Sequence, residues 1–446
     1  MSVLISRGQS RKWWALWVLM VALGLASALQ LGGTAVAQEE SDVLATADAL
    51  LGRVSQVTGL SIKNQVKKQI LNRSQIRKYL EESLHAEYTP HEIYVQEAML
   101  RAFGLVPADF SLETFLLGFY TEQAAGFYDP RQKTLFLTDD LAPEMQTLVL
   151  AHELTHALQD QNYDLQKFLR AERANDDATN ARQALTEGHA MAVTLQIMIQ
   201  PLELSSLPDL GPIMAGAMQL QMEGFPAFRN APAFLRKQMV FPYLEGVDFT
   251  RSLVAHGGWP KANAAFTNPP HSTQEIFDPK FYLEPRPLAK FDLPRPPPLA
   301  KYPKLQLLTE NVMGQLGYYG LLEQFISEDQ ANNVAPGWVA DRYVLYDRAP
   351  DGTASPPARV RRDCILVARV RWTSSETALA FFHDYQTILR RKYASAIVDQ
   401  HTNADVFLGS APEGHFILLR KDTDCLWAEG VPAEEAEAML NWLRSL

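Results

Sequence analysis

His152 and His156 lie four residues apart in Val149-Leu150-Ala151-His152-Glu153-Leu154-Thr155-His156-Ala157-Leu158, with Glu153 immediately after the first. Residues four apart on an α-helix are separated by about 40° in projection, so both imidazoles point the same way and can offer two nitrogens to one zinc ion. Glu153 falls beside such a metal rather than under it, where a carboxylate can take the proton of a water activated at the metal. Two histidines leave a catalytic zinc one protein ligand short. Glu187, in Ala184-Leu185-Thr186-Glu187-Gly188-His189-Ala190, is the candidate third ligand. Gly188 supports that choice: a glycine inside a helix costs about 1 kcal/mol relative to alanine, and close approach of a second helix would offset the cost. His189 lies about 200° around the helix from Glu187, so it reads as a hydrogen-bonded core histidine. A third ligand six residues after His156, with a glycine between, is ruled out by Asn162 and Gln159 at those positions.

The elements that must position these residues are legible on both sides. No charge other than Glu153 occurs from Leu148 to Gln159, and Leu150, Leu154 and Leu158 recur every four residues away from the ligands, which describes a helix buried on most sides. Pro143 and Glu144 open it. Asn175-Asp176-Asp177 starts a second long helix that Pro201 stops near Gln200. Ahead of the metal helix, Gly126 to Leu137 reads as a β-hairpin turned by Asp129-Pro130. Its second arm, Thr134 to Leu137, is expected to be an edge strand beside the site, free to pair with an extended peptide. Further upstream the chain is a helical lead-in with a short strand near Gln65–Leu71, a helix capped by Ser74, a capping box at Thr89-Pro90-His91-Glu92 whose helix stops at Gly104, and a helix capped by Ser111. Downstream, between Pro201 and Glu284, the pattern is mixed. A resemblance of the two-histidine, one-glutamate pattern to the gluzincins implies an oxyanion donor from after the third ligand, for which Tyr243, His256 and His271 are the candidates there, with Tyr243 and His271 preferred.

The pattern of two helix histidines plus a glutamate from a following helix resembles the gluzincins within the zincin superfamily of metallopeptidases. More specifically, Ala125-Gly126-Phe127-Tyr128-Asp129-Pro130, the stretch His152 to Gln161, Ala184 to Gly188 and Pro269-Pro270-His271-Ser272-Thr273 resemble a family of exported bacterial proteins of unknown function. The resemblance implies an α+β fold: a mostly helical zincin-like domain with a β-hairpin or small sheet. It also implies Zn2+ as the cofactor. Thermolysin-like enzymes orient the first histidine with an Asp four residues after the glutamate ligand; Met191 stands there, so that role has no occupant.

The rest of the 446 residues sets bounds. At 47% hydrophobic and 21% charged the chain is globular and long enough for two domains. Residues 1–37, with Arg7, Arg11 and Lys12 ahead of an apolar run and Ala35-Val36-Ala37 at its end, read as a signal peptide, or else a single N-terminal membrane anchor. Without them the net charge of −10 becomes −13, which argues against nucleic acid as a partner. The expected organisation is a metallopeptidase domain at 38–284, a proline-rich strap at 285–303 and a C-terminal α+β module at 304–446, in which a helix at about Thr309–Ser327 precedes strands and two further helices. Cys364 and Cys425, the only cysteines of an exported chain, are expected to form a disulfide. The function expected is an exported zinc metallopeptidase acting on a peptide or protein substrate, with Glu153 as general base. The alternatives are an envelope binding or assembly factor with a structural zinc site and a peptidoglycan amide hydrolase.

Overall fold

The computed structural model describes residues 40–347 and 364–446, except 124, 173, 208–215, 217, 219–221, 223, 288, 290, 303 and 304. The expected signal or anchor at 1–37 lies outside them. Among the described residues no helix is long and apolar enough to cross a membrane.

The lead-in comprises α1 (Glu40–Thr58), β1 (Lys67–Leu71), α2 (Arg73–Glu87), α3 (Pro90–Phe103) and α4 (Leu112–Gln123). Local chemistry sets most of their ends. Thr89 and Glu92 form the expected capping box of α3, and Gly104, at φ 76°, closes it in the left-handed conformation that glycine adopts without strain. For α2 the cap is Asn72, not Ser74, with Gln75 completing a capping box.

The hairpin consists of β2 (Gly126–Asp129) and β3 (Thr134–Thr138). Asp129 accepts from the Arg131 N–H at 2.7 Å to hold the turn, and Arg131 bonds Glu87 of α2 at 3.0 Å. The sheet order is β1-β3-β2, with β1 parallel to β3 and β2 antiparallel to it. The expectation that β3 is a free edge is therefore corrected. Its second edge is filled by β1, a strand from far upstream, and the hairpin's outer edge belongs to β2.

Behind the sheet run α5 (Pro143–Tyr163), α6 (Leu165–Arg170) and α7 (Asp176–Ile199), the last capped by Asn175 as expected. Leu150, Leu154 and Leu158 of α5 pack with Leu50 and Val54 of α1 and with Leu135 and Leu137 of β3. One long helix, α8 (Ala233–Ala264), replaces the mixed stretch expected there. Pro242 lies inside it and Gly257-Gly258 bends it, so local punctuation suggested a break that packing overrides. A Cβ on Gly188 would sit 2.0 Å from the Gly246 carbonyl carbon, so α7 and α8 cross backbone to backbone, the close approach that Gly188 had suggested.

After the short α9 (Thr273–Phe277), residues 285–302 hold one 3-10 turn, Pro297–Lys301, and no longer element among those described. The expected helix at 309–327 divides into β4 (Gln306–Asn311) and α10 (Gly314–Phe325). Asp341 accepts from the N–H groups of Met313 and Gly314, a cap delivered from another strand and invisible locally. The remaining elements are β5 (Trp338–Asp347), β6 (Cys364–Trp372), α11 (Ser375–Lys392), β7 (Ile397–Val398), β8 (Val406–Ala411), β9 (Gly414–Lys421), β10 (Asp424–Val431) and α12 (Ala436–Ser445). The sheet is antiparallel in the order β4-β5-β6-β10-β9-β8-β7. Its faces follow the period of two: Leu366, Ala368 and Val370 pack with Phe381 and Tyr385 of α11, while Ile365 and Val367 pack with Met439 and Leu443 of α12. The expected disulfide is not present; both cysteines are buried thiols. Cys425 pairs with Val370, six residues along β6 from Cys364, which places the two roughly 20 Å apart at about 3.3 Å per residue.

Candidate metal centre

The structure brings His152, His156 and Glu187 together. The two Nε2 atoms are 3.0 Å apart, and Glu187 Oε2 lies 3.3 Å from His152 Nε2 and 3.4 Å from His156 Nε2. Ligands on a tetrahedral zinc with bonds of 2.0–2.1 Å are roughly 3.3 Å from one another, so the three atoms already hold the edges of such a polyhedron. The cluster is the one group among the described residues whose ligand atoms could converge on a metal ion. All three residues are 1% exposed or less.

Hydrogen bonds beyond the ligands hold part of this arrangement. His156 Nδ1 donates to Gln159 Oε1 at 2.8 Å, which leaves the Nε2 lone pair for a metal. Gln159 Nε2 in turn donates to the Thr186 carbonyl at 3.0 Å and to His189 Nδ1 at 3.1 Å. His189 then donates from Nε2 to Asn263 Oδ1 at 3.1 Å, and Asn263 donates to the Thr58 carbonyl at 2.7 Å. Burial holds His189 neutral, its pKa lowered to about 4. His189 thus belongs to the support of His156, not to the ligand set. His152 has no such support. Its Nδ1 is buried without a partner, as the Met191 substitution implied.

Glu153 is also 1% exposed, and its Oε2 accepts from the Tyr128 N–H of the edge strand β2 at 2.9 Å. Burial, with the charge of Glu187, pushes its carboxyl up to about 8 against the pull of His156 and of the Tyr128 N–H. Burial also opposes a charge on His156, yet Glu187, Glu153 and Gln159 together outweigh it and raise that imidazole to about 9. Two carboxylates in one closed, desolvated site call for positive charge. A divalent cation on the three ligand atoms answers that demand and would lower the Glu153 carboxyl again. The donor set, its spacing and its charge therefore fit Zn2+.

Tyr243 of α8 is brought to the centre: its ring lies 6.3 Å from that of His152. Its hydroxyl is buried beside Glu187, close enough for that carboxylate to act on it as an acceptor though short of a well-formed hydrogen bond, and close enough to Glu153 to feel its charge. Burial and those charges raise it well above its ordinary value. Tyr120 of α4 has the same character, with a buried unpartnered hydroxyl raised by burial, Tyr88 and Glu187. Sequence reasoning missed it, because one tyrosine in an apolar helix looks like core. Gln159 was missed as a support as well, although its place three residues after His156 on one helix face could have revealed it.

His271 and His256 are not brought to the ligands. The His271 N–H donates to Glu275, and Thr273, two residues on, donates to Asp177 Oδ1 at 3.0 Å. Asp177 lies ten residues before Glu187 on α7, or about 15 Å along the axis. His271 therefore lines a separate cavity of about 290 Å³ with Asp177, Asp292 and Asp341. His256 is exposed, thirteen residues past Tyr243 on α8, and bonds its own helix at Ser252.

Fold and site together define an α+β protein with a buried cluster of two histidines and one glutamate that could hold a metal ion, beside a second carboxylate, Glu153. Residues 109–201, which span α4, the hairpin, α5 and α7, match a family described as "Putative metallopeptidase family (DUF6782)". Residues 305–440 match another, "Domain of unknown function (DUF8575)". Comparisons with curated proteins and with solved structures return no match. The part of the chain that carries His152, His156 and Glu187 is thus similar to a family described as putative metallopeptidases.

Proposed function

We propose that the chain is a zinc-dependent peptidase of gluzincin type, exported from a bacterial cell and acting on a peptide or protein substrate. The observation that carries this reading is the triangle of His152, His156 and Glu187 atoms at 3.0–3.4 Å with Glu153 fixed beside it by the Tyr128 N–H. Bound there, zinc would polarise the scissile carbonyl and lower the pKa of water to about 7. Glu153 accepts the proton of the attacking water and returns it to the leaving amine, a role for which a purely structural site has no use. The Tyr243 hydroxyl, without another partner, donates to the carbonyl oxygen as negative charge develops on it. Export rests on Arg7, Arg11, Lys12 and Ala35-Val36-Ala37. The test is hydrolysis of a peptide library by the zinc-loaded chain and by Glu153→Gln. Loss of about 10²–10⁴-fold with zinc retained supports the reading, and equal turnover by the variant refutes it.

A further inference from the structure

The N–H that holds Glu153 belongs to a strand that is itself fastened to the metal helix. The Thr138 N–H donates to the Ala125 carbonyl at 3.1 Å. By the alternation of an antiparallel ladder, the N–H groups of Phe127 and Asp129 then face β3 and that of Tyr128 faces outward. This outward N–H reaches Glu153 Oε2 at 2.9 Å. The Tyr128 side chain makes a second bond to the same helix, its hydroxyl donating to Asp160 Oδ2 at 3.0 Å. Glu153 and Asp160 are seven residues apart on α5, so they lie on one face, two turns and about 10.5 Å apart along the axis. One residue of β2 thus grips α5 at two levels.

Asp160 is fixed in turn. Its other oxygen, Oδ1, accepts from the Leu165 N–H at 3.1 Å, at the start of α6. Tyr128 is 2% exposed and shares a core cluster with Leu135 and Leu137 of β3 and Leu154 and Leu158 of α5. The consequence concerns placement. A single N–H···O bond lets the strand turn about it, whereas two bonds two turns apart fix where β2 sits along α5, and with it where the Tyr128 N–H meets Glu153. A general base works only within hydrogen-bond reach of its proton, about 2.6–3.2 Å, and a misplacement of about 1 Å can cost about 10²-fold in rate.

We propose that Asp160 is a positioning residue for the general base: through the Tyr128 hydroxyl it sets the strand whose N–H aims the Glu153 carboxylate. The proposal rests on the peptidase reading for the word base, but the clamp can be tested apart from catalysis. The first measurement is amide hydrogen exchange of the purified chain, read residue by residue, after folding is checked by thermal unfolding. Asp160→Ala and Tyr128→Phe are each expected to speed exchange of the amide at position 128 by about tenfold or more, as weakening of a bond to a charged group allows. The Phe127 amide, which faces β3, should stay protected. Asp160→Asn, whose side chain can still bond both the hydroxyl and the Leu165 N–H, should keep the wild-type pattern. Unchanged exchange at position 128 in Asp160→Ala, or equal loss of protection at 127 and 128, overturns the clamp.

The second measurement is peptide turnover by the zinc-loaded chain. Asp160→Ala and Tyr128→Phe should each lower kcat by about 10–100-fold with KM and zinc content held. The double variant should be no slower than either single one, because the two residues act as one unit, and Asp160→Asn should restore turnover. Wild-type kcat in a folded Asp160→Ala chain, additive losses in the double variant, or zinc content falling in step with turnover refutes the positioning role and leaves the peptidase reading standing. The expected exchange pattern in a chain that cleaves no peptide supports the clamp and refutes that reading.

Discussion

Two buried polar clusters in this chain are built to opposite standards. In the C-terminal sheet, Glu429 accepts from Tyr385 Oη at 2.6 Å, Lys392 Nζ at 2.5 Å and Tyr393 Oη at 2.7 Å, so that carboxylate has a counter-charge and two further donors. At the metal centre, His152 Nδ1, Tyr120 Oη and Tyr243 Oη are buried with no partner, and Glu153 and Glu187 share one desolvated space. An unpaired buried polar group costs about 1–3 kcal/mol. Unpartnered buried groups occur in the C-terminal module too, at Trp372 Nε1, Trp427 Nε1 and Tyr318 Oη; what sets the metal centre apart is that its unpartnered groups gather round two carboxylates and two histidines. Burial alone does not separate the two clusters; the pairing of their carboxylates does, since Glu429 has Lys392 and, among the described residues, no Lys or Arg pairs with Glu153 or Glu187.

The largest effect expected from this contrast is in the sheet. Lys392→Met keeps the aliphatic stem but leaves Glu429 buried without its counter-charge, which should lower unfolding free energy by about 3–5 kcal/mol in chemical denaturation while the metal ligands stay intact. A loss under 1 kcal/mol would erase the contrast. Next comes a matched pair. Tyr385→Phe removes a donor to a charged group and should cost about 1.5–3 kcal/mol. Tyr243→Phe removes a hydroxyl that makes no well-formed hydrogen bond in the fold, so its stability should be equal to or above wild type while peptide turnover falls by about 10²–10³-fold. Equal destabilisation by both would mean that Tyr243 is a structural residue. Smaller again is Gly188→Ala, where the new Cβ meets the Gly246 backbone and the α7–α8 crossing must open. A cost of about 1–3 kcal/mol, read in the same denaturation experiment together with weaker zinc retention, is the outcome expected.

What was legible in the sequence was what a single helix encodes. His152, Glu153 and His156 share one helix, and Glu187 was marked by its glycine neighbour, so the ligand set follows from period and local composition. Caps at Thr89 and Asn175 were readable for the same reason. What failed depends on partners remote in sequence. The second edge of β3 is filled by Lys67–Leu71, and nothing within the hairpin announces a parallel neighbour. Strand register separates Cys364 from Cys425, although both were placed on strands. The start of α10 is capped by Asp341 from β5. The kinked α8 was hidden by Pro242 and Gly257-Gly258, and with it the geometry that brings Tyr243 to the site and sends His256 away.

The central claim is that His152, His156 and Glu187 form one metal site, and metal analysis of the purified chain beside its three single alanine variants addresses it most directly. The account predicts one zinc per wild-type chain and a marked fall in each of His152→Ala, His156→Ala and Glu187→Ala, with folding verified by circular dichroism. Full zinc occupancy in a folded Glu187→Ala chain would contradict it.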